Sequence, residues 1–352
     1  MTKKGLISLM MILLLSILIQ SCNVTSPYVT GAKIDMQKND YVNAEDKLLK
    51  AVDNNAKDVE ALYLLGKISS KKGDFEKMVD YFNRATLAGA DQEKVKDMDL
   101  EKQNIWATLY TESGVMFKAG QKKINEQDEE GSIKDFEKAI KKLELSLVLI
   151  DNSKESLLLL AYCYYYTKNM DKALEAAEKL LVVDAENMDA IKISAIITWD
   201  NKDFEKAVKY YGIIYNKDPQ NKEAVSRLAD YYAKQNKIDD AIGMYDAILA
   251  IEPDNTDILF NKADMLYKKK NDVQGAIATL EKLVSVNSED LEAIIQLGNL
   301  YYNQKDFQKV VDLLEPNAEF FTADNKKPAF DLLFYSYGEL GNTAKAKKYY
   351  IE

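Results

Sequence analysis

Histidine is absent from the 352-residue chain, so His-based triads, imidazole metal ligands and imidazole proton shuttles are excluded. Arginine occurs only at Arg84 and Arg227, and the formal net charge is −10. An acidic surface without a basic cluster repels phosphate backbones, which argues against nucleic acid as a partner. Cysteine occurs only at Cys22 and Cys163. Cys163 sits in "LLAYCYYY", apolar nearly all round and without a cationic neighbour to stabilise a thiolate, and reads as a buried structural thiol. A glycine-rich phosphate loop, a calcium loop and a nucleophilic-serine motif are also missing. Carboxylates are spread over solvated faces, so no acid pair stands out. The chain reads as a non-enzyme with no catalytic, cofactor-binding or metal residues, and a small-molecule ligand is not expected.

Long apolar runs are equally scarce. The one at residues 5–19 follows Lys3 and Lys4. As a helix it reaches about 22 Å, short of the roughly 30 Å hydrocarbon core. A basic start, a short apolar core and a small residue before the break make a secretory signal. Its end, Ile19-Gln20-Ser21-Cys22, resembles a bacterial lipobox, with Gln20 an imperfect fit. The resemblance implies cleavage after residue 21, acylation of Cys22 and a membrane anchor, because several acyl chains hold lastingly where one does not. Losing Lys3 and Lys4 lowers the net charge from −10 to −12. With Cys22 lipidated, Cys163 has no partner for a disulfide. Asn23 is not the Asp that retains some lipoproteins at the inner membrane, so the expected place is the bacterial envelope, at the outer membrane facing the periplasm.

What the chain has instead is repetition. "DFEKAVKYYGIIYNKDPQN" at 203–221 and "KIDDAIGMYDAILAIEPDN" at 237–255 place Ala207 and Ala241, Tyr211 and Tyr245, and Pro219 and Pro253 each 34 residues apart. The phase extends to Ala44, Met78, Ala139, Ala173, Ala276, Val310 and Ala346. A second small-residue series leads it: Ala32, Gly66, Ala161, Ala195, Ala229, Ala263 and Gly298. Each unit reads as two amphipathic helices joined by polar turns such as "NKD", "QNK" and "NQKD". One small residue per helix lets the two cross at about 8–10 Å. Pro219 and Pro253 stop the second helix. One hairpin cannot cover its own apolar face, but a stack can.

These positions resemble the tetratricopeptide repeat. "AVSRLADYYAKQNKIDDAIGMYDAILAIEP" carries its Leu228, Ala229, Tyr232, Ala241, Tyr245 and Pro253, and "AIIQLGNLYYNQKDF" its Leu297, Gly298 and Tyr301. The resemblance implies an all-α, right-handed superhelical solenoid of about nine hairpins, with units starting near 25, 59, 107, 154, 188, 222, 256, 291 and 327. The expected organisation is a signal at 1–21, lipidated cysteine and tether at 22–27, units 1–2 at 28–92, and an enlarged unit 3 at 93–153. Units 4–8 follow at 154–316, then an irregular bridge and capping helices at 317–352. Ser26 and Pro27 read as N-cap and first turn of the opening helix.

Two stretches depart from the pattern. The phase slips between Gly66 and Gly114 and again before Ala139, which predicts one long first helix, an acidic turn "DEEGS" and a new helix from about Ile133. Near the end, Pro316 should stop a helix after "VVDLLE", leaving "NAEFFTADNKK" irregular. There Phe320 and Phe321 either cover the open end of the core or stand exposed.

In the family the first helices line a concave groove, and the residue after the core tyrosine tends to face it. Carried onto this chain, that register gives Tyr165, Trp199, Tyr267 and Tyr302, with Tyr162, Ile196 and Phe260 from neighbouring turns. Lys192, Asp230, Asp264 and Asn299 mix the charge. Such an aromatic surface suits capture of an extended or helical peptide; the alternative is that "YY" doublets pack between hairpins. The Lys/Asn clamp with which some relatives hold a terminal carboxylate does not recur. The expected protein is a lipid-anchored scaffold binding envelope proteins or peptides. One alternative is an assembly-factor lipoprotein for outer-membrane protein insertion or secretin and pilus biogenesis; another is a SusD-like glycan-capturing lipoprotein.

Overall fold

The computed structural model describes residues 26–350; the expected signal, Cys22 and most of its tether lie outside the described residues. Eighteen α-helices and one 3-10 turn follow one another there, with no strand among the described residues. They pair into nine hairpins. The first four are α1 (Pro27–Gln37) with α2 (Tyr41–Asn54), α3 (Val59–Lys72) with α4 (Phe75–Leu87), α5 (Gln92–Asn125) with α6 (Glu129–Leu149), and α7 (Lys154–Tyr166) with α8 (Met170–Val183). The next three are α9 (Met188–Asp200) with α10 (Phe204–Lys217), α11 (Lys222–Lys234) with α12 (Ile238–Ile251), and α13 (Thr256–Lys268) with α14 (Val273–Val286). Last come α15 (Leu291–Asn303) with α16 (Phe307–Leu314), and α17 (Ala323–Glu339) with α18 (Thr343–Lys348). Two compact units divide the chain, Met1–Ala185 and Glu186–Glu352. Among the described residues no helix is long and apolar enough to cross a membrane.

Local chemistry fixes the helix starts. Most helices begin at an Asp, Asn or Ser whose side chain accepts the backbone N–H three residues on, as Asp74 does from Lys77, Asn169 from Lys172 and Ser153 from Ser156. Each such cap is worth about 1 kcal/mol. Ser26 and Lys237 make no side-chain cap bond, although Pro27 does occupy the first turn of α1. Pro219 and Pro253 each follow a C-cap, Asp218 and Glu252, where a missing N–H costs nothing.

The turn inside every hairpin carries one left-handed residue just before the second helix's N-cap. These are Asn39, Gly73, Gln127, Lys168, Lys202, Asn236, Asn271, Lys305 and Gly341, with φ between 55° and 75°. Seven of them bear a side chain, so the hairpin packing overrides a penalty of roughly 1–2 kcal/mol at each. Counting from this marker, the crossing residues lie seven before and five after it, with one extra residue in the turn of the seventh hairpin. Ala32 and Ala44, Ala161 and Ala173, Ala195 and Ala207, Ala229 and Ala241, and Ala263 and Ala276 are all buried there. Gly66 with Met78 and Gly298 with Val310 fill the same places.

The third hairpin corrects the sequence register. Its crossing pair is Gly120 and Ser132, both buried. Gly114 has open space where a Cβ would stand, and Ala139 is buried about two turns further along α6. The crossing glycine comes 28 residues after the start of α5, against 7 in α3, an excess close to six helical turns. Insertions near whole turns keep one stripe facing inward: Leu109, Ser113 and Gly120 on α5, and Phe136, Ala139, Leu143, Ser146 and Leu149 on α6. Helix α6 begins at Glu129, not Ile133. Asp128 caps it, and Glu129 and Glu130 sit in its first turn, where the helix dipole favours negative charge.

At the far end Pro316 lies in the 3-10 turn Glu315–Asn317, and α17 starts at Ala323, so the irregular bridge is shorter than expected. The Thr322 N–H donates to Asn325 Oδ1 at 2.8 Å, which starts that helix ahead of Pro328. The phenylalanine pair is split. Phe321 packs into the core with Leu332 and Leu333, while Phe320 is 59% exposed.

Within the first hairpin Lys47 bonds Asp35 at 2.6 Å and lays its stem over Gly31. Glu315, in the 3-10 turn ahead of the last hairpin, accepts from Tyr337, from Lys345 at 2.9 Å and from Tyr349 at 3.0 Å.

Candidate interaction surface on the first helices

The candidate residues occupy three positions of the first helices, spaced four and then three residues, which is one stripe of an α-helix. In the first unit they are Tyr162 and Tyr165 on α7. In the second they are Lys192, Ile196 and Trp199 on α9, Asp230 on α11, Phe260, Asp264 and Tyr267 on α13, and Asn299 and Tyr302 on α15.

Within each tyrosine doublet the two rings have different surroundings. Tyr164 and Tyr301 are buried, and each donates its hydroxyl at 2.5 Å to a glutamate on the preceding hairpin, Glu144 and Glu281 respectively. Burial first, then the adjacent carboxylate, pushes both hydroxyls above the usual tyrosine range. Their neighbours Tyr165 and Tyr302 are half-buried on the stripe, Tyr165 edge-on to Tyr166 and Tyr302 edge-on to Phe307 at 5.4 Å. Tyr162 leans on Phe117 of the long α5 at 6.3 Å.

Trp199 is the exception, since only 9% of it is exposed. Its ring meets Phe204 and Tyr211 edge-on at 5.0 and 5.8 Å, and the Arg227 guanidinium lies 4.9 Å from its centre. Tyr211 donates to Glu223 at 3.2 Å, and Glu223 pairs with Arg227 at 3.9 Å, so Trp199 belongs to the seam joining α9 and α10 to α11. Phe260 packs against the core from a half-buried place. Tyr267 is 38% exposed, and Lys192 and Asn299 are exposed.

The stripe's charge is largely neutralised within its own helices. Asp230 bonds Lys234 at 2.8 Å and Asp264 bonds Lys268 at 2.6 Å. Sequence reasoning missed Tyr335 on α17, which holds the same position as Asn299 and is 55% exposed. It stands 5.1 Å from Phe334, itself 5.5 Å from Tyr350. The spacing of 36 between Lys305 and Gly341 is the signal that would have found it.

Cys163 is fully buried on α7, and burial pushes its thiol up to about 12, so it is inert at neutral pH. Among the described residues no group of three acidic or cysteine side chains could hold a metal ion.

The carboxyl of Glu315 is held down to about 2, first by Lys345 and then by Tyr337. A carboxyl lowered on folding stabilises above its ordinary range and loses that contribution as pH falls. Glu315→Gln should therefore loosen α17 and α18 by about 1–2 kcal/mol at pH 7, a figure discounted for partial exposure. It should also flatten the loss of protection in these helices between pH 4.5 and 2, read by hydrogen exchange.

Family models described as tetratricopeptide repeat match residues 199–263, 59–88 with 256–290, and 155–182. The chain thus carries tetratricopeptide repeats in both units. Among solved structures, MamA from Desulfovibrio magneticus RS-1 is 13% identical over 51% of this chain and 97% of its own, with a TM-score of 0.38. YrrB, a repeat protein described as having an unusual peptide-binding site, is 18% identical over 50% of this chain and 95% of its own, with a TM-score of 0.38. PilF of Pseudomonas aeruginosa is 14% identical over 56% of this chain and 89% of its own, with a TM-score of 0.34. A comparison with curated proteins finds no match. The repeat fold is that of protein–protein interaction scaffolds.

Proposed function

We propose that this protein is a lipid-anchored, non-catalytic scaffold of the bacterial envelope that captures a peptide segment or helix of another envelope protein on the stripe of its first helices. The observation that carries the reading is the row of open tyrosines in the second unit. Tyr267 is 38% exposed, with Tyr302 half-buried at its place on α15, and Tyr335, at the place of Asn299, is 55% exposed. Tyrosine offers wide contact for little rotamer entropy, and its hydroxyl suits a partner that is part apolar and part wet. Carboxylates already paired on their own helices leave this surface receptive to a near-neutral segment.

Anchorage rests on Ile19-Gln20-Ser21-Cys22. With Ser26 opening α1, only a few residues separate lipid from fold, which holds the first hairpin within about 14 Å of the headgroups. Its test is detergent phase partitioning: the parent should enter the detergent phase, and Cys22→Ala should remain aqueous or accumulate as precursor. A parent that stays aqueous after export contradicts the anchor.

A further inference from the structure

The long helix α5 presents an outer face that the hairpin packing engages only at Asp97. Between Glu93 and Lys122, the residues within about 50° of one direction, at 100° per residue, are Glu93, Asp97, Leu100, Asn104, Ala107, Thr108, Thr111, Val115, Lys118 and Lys122. All are exposed except Asp97, which is half-exposed while accepting from Tyr63 at 2.7 Å and Lys67 at 2.9 Å. Leu100 and Val115 are 52% and 65% exposed. The order along this face is two acids, six uncharged residues over four turns, then two lysines. In a chain that is 30% charged, the uncharged middle stands apart.

The pattern is symmetric about the point between Ala107 and Thr108. Leu100 and Val115 are equidistant from it, as are Asn104 and Thr111, Asp97 and Lys118, and Glu93 and Lys122. Two copies of the helix laid antiparallel would therefore place Leu100 against Val115 and each acid against a lysine. Laid parallel, they would oppose acid to acid and lysine to lysine. We infer that α5 pairs with α5 of a second copy of this chain, antiparallel, about a two-fold axis between Ala107 and Thr108. Small side chains at the centre permit close approach of the two backbones, and a two-fold interface must be self-complementary in this way. The face has no net charge, so it suits neither an anionic lipid surface nor a strongly charged partner.

The test uses the full chain in mild detergent, followed by density-matched sedimentation equilibrium over the micromolar range. The parent should show a reversible monomer–dimer equilibrium, and Ala107→Arg should weaken it at least tenfold with circular dichroism unchanged. Glu93→Lys and Lys122→Glu should each weaken it several-fold, and the two together should restore it. As a check on direction, Asn104→Cys copies mixed with Thr111→Cys copies should crosslink to each other better than either does alone. A parent that is monomeric throughout, a dimer indifferent to Ala107→Arg, or charge reversals without mutual rescue would each overturn the inference. These outcomes do not bear on the stripe of the first helices, which a monomer presents equally well.

Discussion

Gly66→Ala is expected to destabilise the protein by about 2–3 kcal/mol, the range of an overpacked core. A new Cβ at this position would stand 2.2 Å from Cε1 and 2.3 Å from Cδ1 of Phe82, a ring only 1% exposed. A phenyl ring cannot bend out of the way, and Phe82 is further held by Tyr63 stacked at 6.3 Å. In an open helix the same change would stabilise by about 1 kcal/mol, so the sign of the result separates a crossing glycine from an ordinary one. Phe82→Leu in the same chain should return most of the loss. Gly120→Ala meets Phe136 at 2.8 Å and should cost less than Gly66→Ala, while Gly298→Ala meets the more pliable Leu314 at 3.1 Å and should be close to neutral. Urea denaturation of the three variants gives this order directly.

Trp199→Ala should lower stability by about 3–5 kcal/mol, as buried aromatic truncations do. It removes a ring packed on Phe204 and Tyr211 and leaves Arg227 without the face it covers. The expected consequence is loosening of α9 to α11, measured by hydrogen exchange. Any loss of partner capture in this variant would follow from the fold.

Most of the architecture was legible because the hairpin repeats a physical requirement. Two helices cross closely where at least one of the facing side chains is small, so Ala195 and Ala207 or Ala229 and Ala241 announce themselves at fixed spacing. The third hairpin was harder to read, since its crossing uses Gly120 and Ser132 after an insertion near six turns. Gly114 and Ala139 offered decoys at more familiar distances. The start of α17 is less legible, because the stretch after Pro316 reads as irregular through Lys327, whereas Thr322 and Asn325 start the helix at Ala323.

The stripe was legible as a register and not as an exposure. Sequence places Tyr165, Trp199, Tyr267 and Tyr302 at one helical position, yet whether a ring is open depends on the next hairpin. Arg227, from that next hairpin, covers Trp199, while Tyr267 remains 38% exposed. Tyr335 escaped because the last hairpin runs at a spacing of 36.

The most direct test of the scaffold reading is a crosslinked pull-down from intact envelopes with the parent and with a chain carrying Tyr267→Ala, Tyr302→Ala and Tyr335→Ala, scored beside circular dichroism. One defined protein complex should be recovered with the parent and reduced at least tenfold with the triple variant, about 1.4 kcal/mol or more of lost affinity, while helix content is unchanged. Equal recovery with both chains, or sugar polymers in place of protein, would contradict it.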